Sequence, residues 1–467
     1  MLHSRLFKET ARFRDAHFQP TRDSLESTEQ STSTPWLDGN PQIDRPLFVQ
    51  FCANQPQDLL EAAMYVAPYC DAVDLNLGCP QGIAKSGRYG AFLQEDWDTI
   101  YKLINKLHKE LPVPVTAKMR ILDTKEKTLE YAKMILSAGA SILTVHGRRR
   151  EQKGHNMGVA DWQMIRYLRD NLPAETVLFA NGNILNSEDL QPCLEATGAD
   201  GIMSAEGNLS DPTIFATPPP DRNNREYWYG PNGTGGYRLD GVFRRYLDII
   251  HKYVFDTQPP KRSLLFLPSD PVPEASVYLE GNRAEDGPPT KKQKKERAAA
   301  VHSPNLKAMQ GHLFQLLRPM LSLHTDIRDA LSKTRTGDIA AFERILSMVE
   351  EAVKRGLQEA EKDDFTDSTD SATAPAEKGS KVETIPLDTI AKYKRPWWVC
   401  QPYIRPLPEE ALKIGSMTMS KKNKAKAVAD QNSKGNDEAV QRTDEPNESI
   451  LPGDVRQELP QAALVCG

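Results

Sequence analysis

Cys79 stands between Gly78 and Pro80, where the short apolar run 72–77 stops. A turn accounts for the glycine and the proline but not for the thiol between them. Free cysteine is most often a small buried hydrophobe. At the carboxyl end of a strand it can instead act as an acid or a nucleophile. Asn76, three residues earlier, can face the same mouth and hold a carbonyl or an amide. The stretch "GIAKSGRYGAFL" (82–93) then supplies a basic, glycine-rich loop able to close over a substrate. Lys118 and Arg120 end the next apolar run and fall on one side of a pleat. They read either as solvent-facing charges or as cations delivered to a mouth. His146-Gly147-Arg148 sets an imidazole beside a guanidinium, groups that bind an anionic cofactor or a phosphate. Asn181-Gly182-Asn183 and Ala205-Glu206 belong to short glycine turns whose backbone N–H groups can cradle a phosphate, although most such turns are only turns.

These residues need elements to carry them. Apolar runs with strand character occur at 47–51, 72–77, 113–119, 142–146, 177–180 and 201–204. Segments of helical period lie between them, at 57–66, 97–111, 125–137, 161–171 and 187–197. Alternation of this kind implies parallel strands joined by right-handed crossovers. Polar residues gather just after the strands, which fits a TIM barrel or a doubly wound sheet. A doubly wound sheet concentrates its contacts at one switch point, whereas here nearly every strand has a polar tip, so the barrel is preferred. A closed barrel needs eight strands, and six are found. The expectation is therefore a (β/α)8-type barrel whose first strand and most of the second are absent from this chain. If 201–204 is the eighth strand, the two glycine turns fall where barrels of this type bind phosphate.

The chain has 467 residues, enough for this barrel, a smaller domain and tails. Residues 1–257 are assigned to the barrel, with 19–45 as a polar loop insertion. Residues 258–303 read as a linker containing the basic run "KKQKKER" (291–297), either an import signal or a solvated spacer. Helical period returns over 304–362 as two or three helices. A second linker at 363–384 precedes an aromatic and basic segment at 385–410, expected to pack on the fold, and 411–467 reads as disordered. The six cysteines are scattered without a CxxC pair, which argues against a disulfide scaffold or a zinc site. No secretory signal and no apolar run of membrane-spanning length is present, so a cytoplasmic or nuclear protein is expected. Net charge is −5, yet 385–427 carries nine Lys/Arg against three acids, so local basicity survives. P-loop, GxSxG, HExxH, kinase and Rossmann motifs are all missing.

Together "VQF" (49–51), "DLNLGCP", "YGAFL", "KMR", "VHGR", "ANGNI" and "MSAEGNL" resemble, in order, the motifs of the dihydrouridine synthase family over residues 47 to about 215. "AEGNL" and the late "WWVCQPYIRP" look like the eukaryotic branch that acts at positions 16 and 17 of the tRNA D-loop. The resemblance implies an FMN enzyme, reduced by NADPH or NADH, that passes a hydride to carbon 6 of a uracil base. By matching position Cys79 would protonate carbon 5. It further implies flavin-ring contacts at Gln50, Lys118 and His146, and phosphate contacts at Asn181, Gly182, Asn183, Ala205 and Glu206. Asn76, Arg120 and Arg148 would hold the uridine, and the 304–362 helices would bind tRNA, with no obligate protein partner. Family members begin with an "APM"-type strand that nothing here matches, so this chain is expected to bind FMN poorly. Two other readings remain: a flavin oxidoreductase of free pyrimidines, and a non-catalytic RNA-binding relative.

Overall fold

A computed structural model describes residues 1–21, 35–154, 157–221, 223–230, 235–270, 304–364 and 395–402. Seven strands form one parallel sheet in sequential order: β1 (Leu2–His3), β2 (Phe48–Cys52), β3 (Ala72–Leu77), β4 (Val115–Arg120), β5 (Ile142–His146), β6 (Val177–Asn181) and β7 (Gly201–Met203). Between them run α1 (Ser4–Glu9) and α2 (Ala11–Asp15), α3 (Pro56–Val66), α4 (Gly82–Gly87), α5 (Trp97–Glu110), α6 (Lys125–Ser137), α7 (Trp162–Asn171) and α8 (Leu190–Thr197). This is the winding of a (β/α) barrel. The sequence reading found six of these strands. The additional one, Leu2–His3, is too short to carry any periodicity, and it exists only because it pairs with Phe51 and Cys52.

The helices start where side chains can satisfy their first N–H groups. Asp96, Thr124 and Asp161 accept from the backbone of Thr99, Lys127 and Met164, as N-caps do. Their apolar faces, such as Ile100, Leu103, Ile104 and Leu107 on α5, pack on the outer face of the sheet. That face is built from Val73, Leu75, Leu77, Val115, Ala117, Met119, Leu143, Val145, Leu178 and Ala180, all buried. Successive strand residues alternate faces, so the inner face takes the polar ones. The register sets them in rows: Gln50, Asp74 and Thr116; then Asn76, Lys118 and Thr144; then Arg120, His146 and Asn181.

A second core begins earlier than composition suggested. After the short helix α9 (Glu206–Ser210), a hairpin of β8 (Tyr227–Tyr229) and β9 (Gly235–Tyr237) leads into α10 (Leu239–Ile249). Leu239, Phe243, Leu247 and Ile250 pack not on the barrel but with helices Pro304–Leu316, Arg318–Leu321, Thr325–Ser332 and Ile339–Asp364. The core therefore changes hands at Leu239, ahead of the boundary at 257, and four helices stand where two or three were read. Residues 395–402 thread this core. Leu239 N donates to Trp398 O at 2.9 Å, and Cys400 N donates to Tyr237 O at 2.9 Å. Trp398, Val399 and Cys400 are buried there, while Arg395 reaches back to Glu188 on the barrel at 2.8 Å. The basic run 291–297, most of the two linkers and the tail 411–467 lie outside the described residues. Among those described, no helix is long and apolar enough to cross a membrane.

The hinge between the cores holds a buried ion pair. Arg238 and Asp240 are 2% and 1% exposed and meet through Nε–Oδ1 at 3.0 Å and Nη2–Oδ2 at 2.5 Å, and Arg238 Nη1 also donates to Phe266 O. Removing one member of such a pair leaves the other charge uncompensated. Asp240→Asn should cost about 3–5 kcal/mol, read as a lowered urea midpoint of the helical region. An unchanged midpoint would mean that the pair does not hold the hinge.

Candidate active site

The thiol of Cys79 is carried just past the carboxyl end of β3. It is partly exposed and packs beside Cys52, Ala84 and Tyr89. Gly90 (φ +63°) comes so close behind it that a Cβ there would meet Cys79 O at 2.9 Å and Cys79 Cβ at 3.0 Å, so only glycine fits.

Beneath the thiol runs a chain of fixed amides. Asp74, 5% exposed, accepts from Thr116 Oγ1 and from Gln50 Nε2, both at 2.7 Å. Because a carboxylate takes the amide's N–H end, Gln50 must turn Oε1 the other way. Oε1 accepts from Asn76 Nδ2 at 2.9 Å. Asn76 Oδ1 then accepts from Gly78 N at 3.1 Å and Cys79 N at 2.9 Å. Asp74 and Thr116 were missed in the sequence, although an acid two residues before Asn76 in an apolar strand already places it on the same inner face.

The cations lie across β4 and β5. Lys118 sits between Asn76 and Thr144 in register, and among the described residues no hydrogen bond or ion pair engages its amine. Burial, with the charge of Arg120 beside it, pushes that amine down to about 8. Burial and the charges of Lys118, Arg120 and Arg148 hold His146 far below the usual imidazole range, so the ring is neutral. Its Nε2 accepts from Arg148 Nη1 at 3.1 Å, since arginine can only donate; the ring proton is left on Nδ1.

Arg148 itself departs from the sequence expectation of a uridine contact. It is fully buried and donates to Gly158 O at 2.9 Å and Asn183 Oδ1 at 2.5 Å as well as to His146. A guanidinium so enclosed supports the turns around it. Arg120, 7% exposed, likewise spends Nε and Nη1 on the carbonyls of Gly78, Arg149 and Gln152.

The two glycine turns lie back to back at the ends of β6 and β7. Asn181 Nδ2 donates to Met203 O at 2.7 Å, and Ser204 Oγ donates to Ile184 O at 2.9 Å. Gly182 has φ +108°, and a Cβ there would come within 2.7 Å of Ala160 Cβ and 2.9 Å of His146 Cδ2. Asn183 also takes a positive φ of 60°. Exposed Ala205 and half-buried Glu206 open the short helix α9 (Glu206–Ser210). Backbone close to the mouth, an arginine under it and a lysine across the interior fit a planar cofactor with a phosphate tail.

Lys118 also makes the fold pH-dependent. Its folded-state value lies below that of the unfolded chain, so between about 8 and the ordinary lysine value the unfolded state binds more protons and stability rises with pH. Lys118→Met should therefore stabilise the chain at pH 7, and the gain should shrink as pH climbs from 8 towards 10. Denaturant titrations at pH 7 and 9.5 check this; an equal difference at both would show that the amine is not desolvated.

The family pattern described as "Dihydrouridine synthase (Dus)" matches residues 18–230. The chain is 42% identical over 408 residues to a tRNA-dihydrouridine(16/17) synthase [NAD(P)(+)] of Schizosaccharomyces pombe, covering 87% of this chain and 81% of that protein. It is 41% identical to the Saccharomyces cerevisiae protein of the same description, with 87% and 77% covered. A human tRNA-dihydrouridine(20a/20b) synthase [NAD(P)+]-like protein matches over 38% of this chain at 33% identity. The likeness to the 16/17 proteins thus runs through both cores. With its inner-face lysine and histidine on barrel strands and its cysteine just past the end of β3, this chain belongs to the dihydrouridine synthase family.

Proposed function

We propose that this chain reduces uridine to 5,6-dihydrouridine at positions 16 and 17 of the tRNA D-loop, with FMN as cofactor and NADPH or NADH as reductant. The observation that carries this reading is Cys79, held at the mouth above a polar inner face that offers a Lys118 amine with no hydrogen bond or ion pair among the described residues. The relatives named for this reaction match over both cores. Gln50, Lys118 and His146 would meet the flavin ring. The turns at Asn181, Gly182, Asn183, Ala205 and Glu206, backed by Arg148, would meet its phosphate. When bound, the flavin supplies a hydride to carbon 6 of the base.

The chain's own residues do the rest. Cys79 gives the proton that carbon 5 needs, and its backbone is fixed so that the thiol approaches from one side. Lys118 brings an amine to an interior that it shares with the charge of Arg120. Neutral His146, its ring set by Arg148, can donate from Nδ1. A base in folded tRNA must be extruded to reach this depth, and the helices of 304–362 would grip the rest of the RNA. The place of action is that of tRNA, in the cytoplasm or the nucleus.

Cys79→Ala should lower dihydrouridine formation by about 100-fold or more while leaving flavin absorbance unchanged. Nucleoside analysis of tRNA incubated with the protein, FMN and NADPH reads this directly. Undiminished product would remove Cys79 as the acid. Equal turnover of free uridine and tRNA would favour the free-pyrimidine reading, which has no use for the helical region.

A further inference from the structure

The turn Gly78–Pro80 has two backbone donors and three acceptors, since proline has no N–H. Every one of them is engaged. Gly78 N and Cys79 N donate to Asn76 Oδ1. Cys79 O accepts from Ala91 N at 3.1 Å. Gly78 O accepts from Arg120 Nε at 2.7 Å, and Pro80 O accepts from Lys153 Nζ at 2.9 Å. Two of these partners, Arg120 and Lys153, lead to one loop. Arg120 Nη1 also donates to Arg149 O at 2.9 Å and Gln152 O at 3.2 Å, so it ties the cysteine turn to the loop that follows β5. That loop carries Lys153, which returns to Pro80, and Arg150, which donates to Ala91 O and pairs with Glu95. The two loops thus grip each other at three points with Cys79 between them.

We propose that Arg120 is a positioning residue for Cys79, bracing its turn against the 149–153 loop, rather than a contact to the uridine base. This rests on the reading of Cys79 as the proton donor. A planar fork with donors aimed in several directions can serve three carbonyls of two loops at once. A lysine amine on a longer, freer stem cannot hold that pattern. Buried carbonyls that lose their donor are left unsatisfied, and the turn loosens.

The test is Arg120→Lys in the full chain, with two readouts that need neither flavin nor tRNA. Iodoacetamide alkylation of Cys79, followed by peptide mass, should change in rate several-fold. Trypsin should cut faster at Arg149, Arg150 and Lys153. In the complete reaction, turnover should fall by about 100-fold with the tRNA KM nearly unchanged. Unaltered alkylation and cleavage together with a tenfold higher KM would overturn the proposal and make Arg120 a base contact. Should Arg120→Lys fail to fold, Lys153→Ala opens the same circuit at its exposed end. It must then speed the trypsin cuts at Arg149 and Arg150 and change the Cys79 alkylation rate several-fold, or the brace is rejected. Failure of the functional reading would show separately, as wild-type protein that makes no dihydrouridine while the two readouts still respond.

Discussion

A parallel sheet covered by helices leaves its polar side chains one place to go, and the rest of this structure follows from that. With Val73, Leu75, Leu77 and their counterparts committed to the outer core, the alternate positions must face inward. Parallel register then stacks them into rows that climb towards the carboxyl ends of the strands. Three cations, Lys118, Arg120 and Arg148, end up in a confined interior whose rows contain one carboxylate, Asp74. Such an arrangement is costly unless each charge is satisfied or reserved for a ligand. Arg148 donates to a backbone carbonyl and to side-chain acceptors, and Arg120 spends Nε and Nη1 on backbone carbonyls. Among the described residues Lys118 carries no hydrogen bond or ion pair, and burial pushes its amine down to about 8.

The same division explains how a soft residue is held hard. Cys79 makes no demand of its own on the fold; its position is inherited from the neighbours that hydrogen-bond its turn. Asp74 fixes Gln50, Gln50 fixes Asn76, and Asn76 fixes the two N–H groups of the turn. From above, Arg120 and Lys153 take the carbonyls. The orientation of each amide follows from a carboxylate at one end and two N–H donors at the other, so the network has a single sense.

The second core adds reach. Its helices gather residues from Leu239 to Leu357 and close around Trp398, Val399 and Cys400, so a late segment of the chain is needed to complete it. The buried Arg238–Asp240 pair lies where the two cores meet. Through Arg395 and Glu188 the late segment also touches the barrel, which ties the orientation of the helical region to the catalytic one.

Much of this was legible in the residues. Alternating strand and helix periods gave the barrel, six of its strands and the mouth that collects Cys79, Lys118 and His146, because both signals are local and repeat. The seventh strand was not, since Leu2–His3 is defined only by its partners. Nor was the change of core at Leu239, because an amphipathic helix shows that it has an apolar face and not what covers it. The types and spacing of Asn76, Arg120 and Arg148 showed that polar groups attend the mouth. Only the tertiary structure decided that both arginines turn to carbonyls, because a guanidinium's partners come from loops distant in sequence. The sequence by itself thus determined which chemistry is present and on which strand tips; packing decided which groups are spent holding the site and which remain to act.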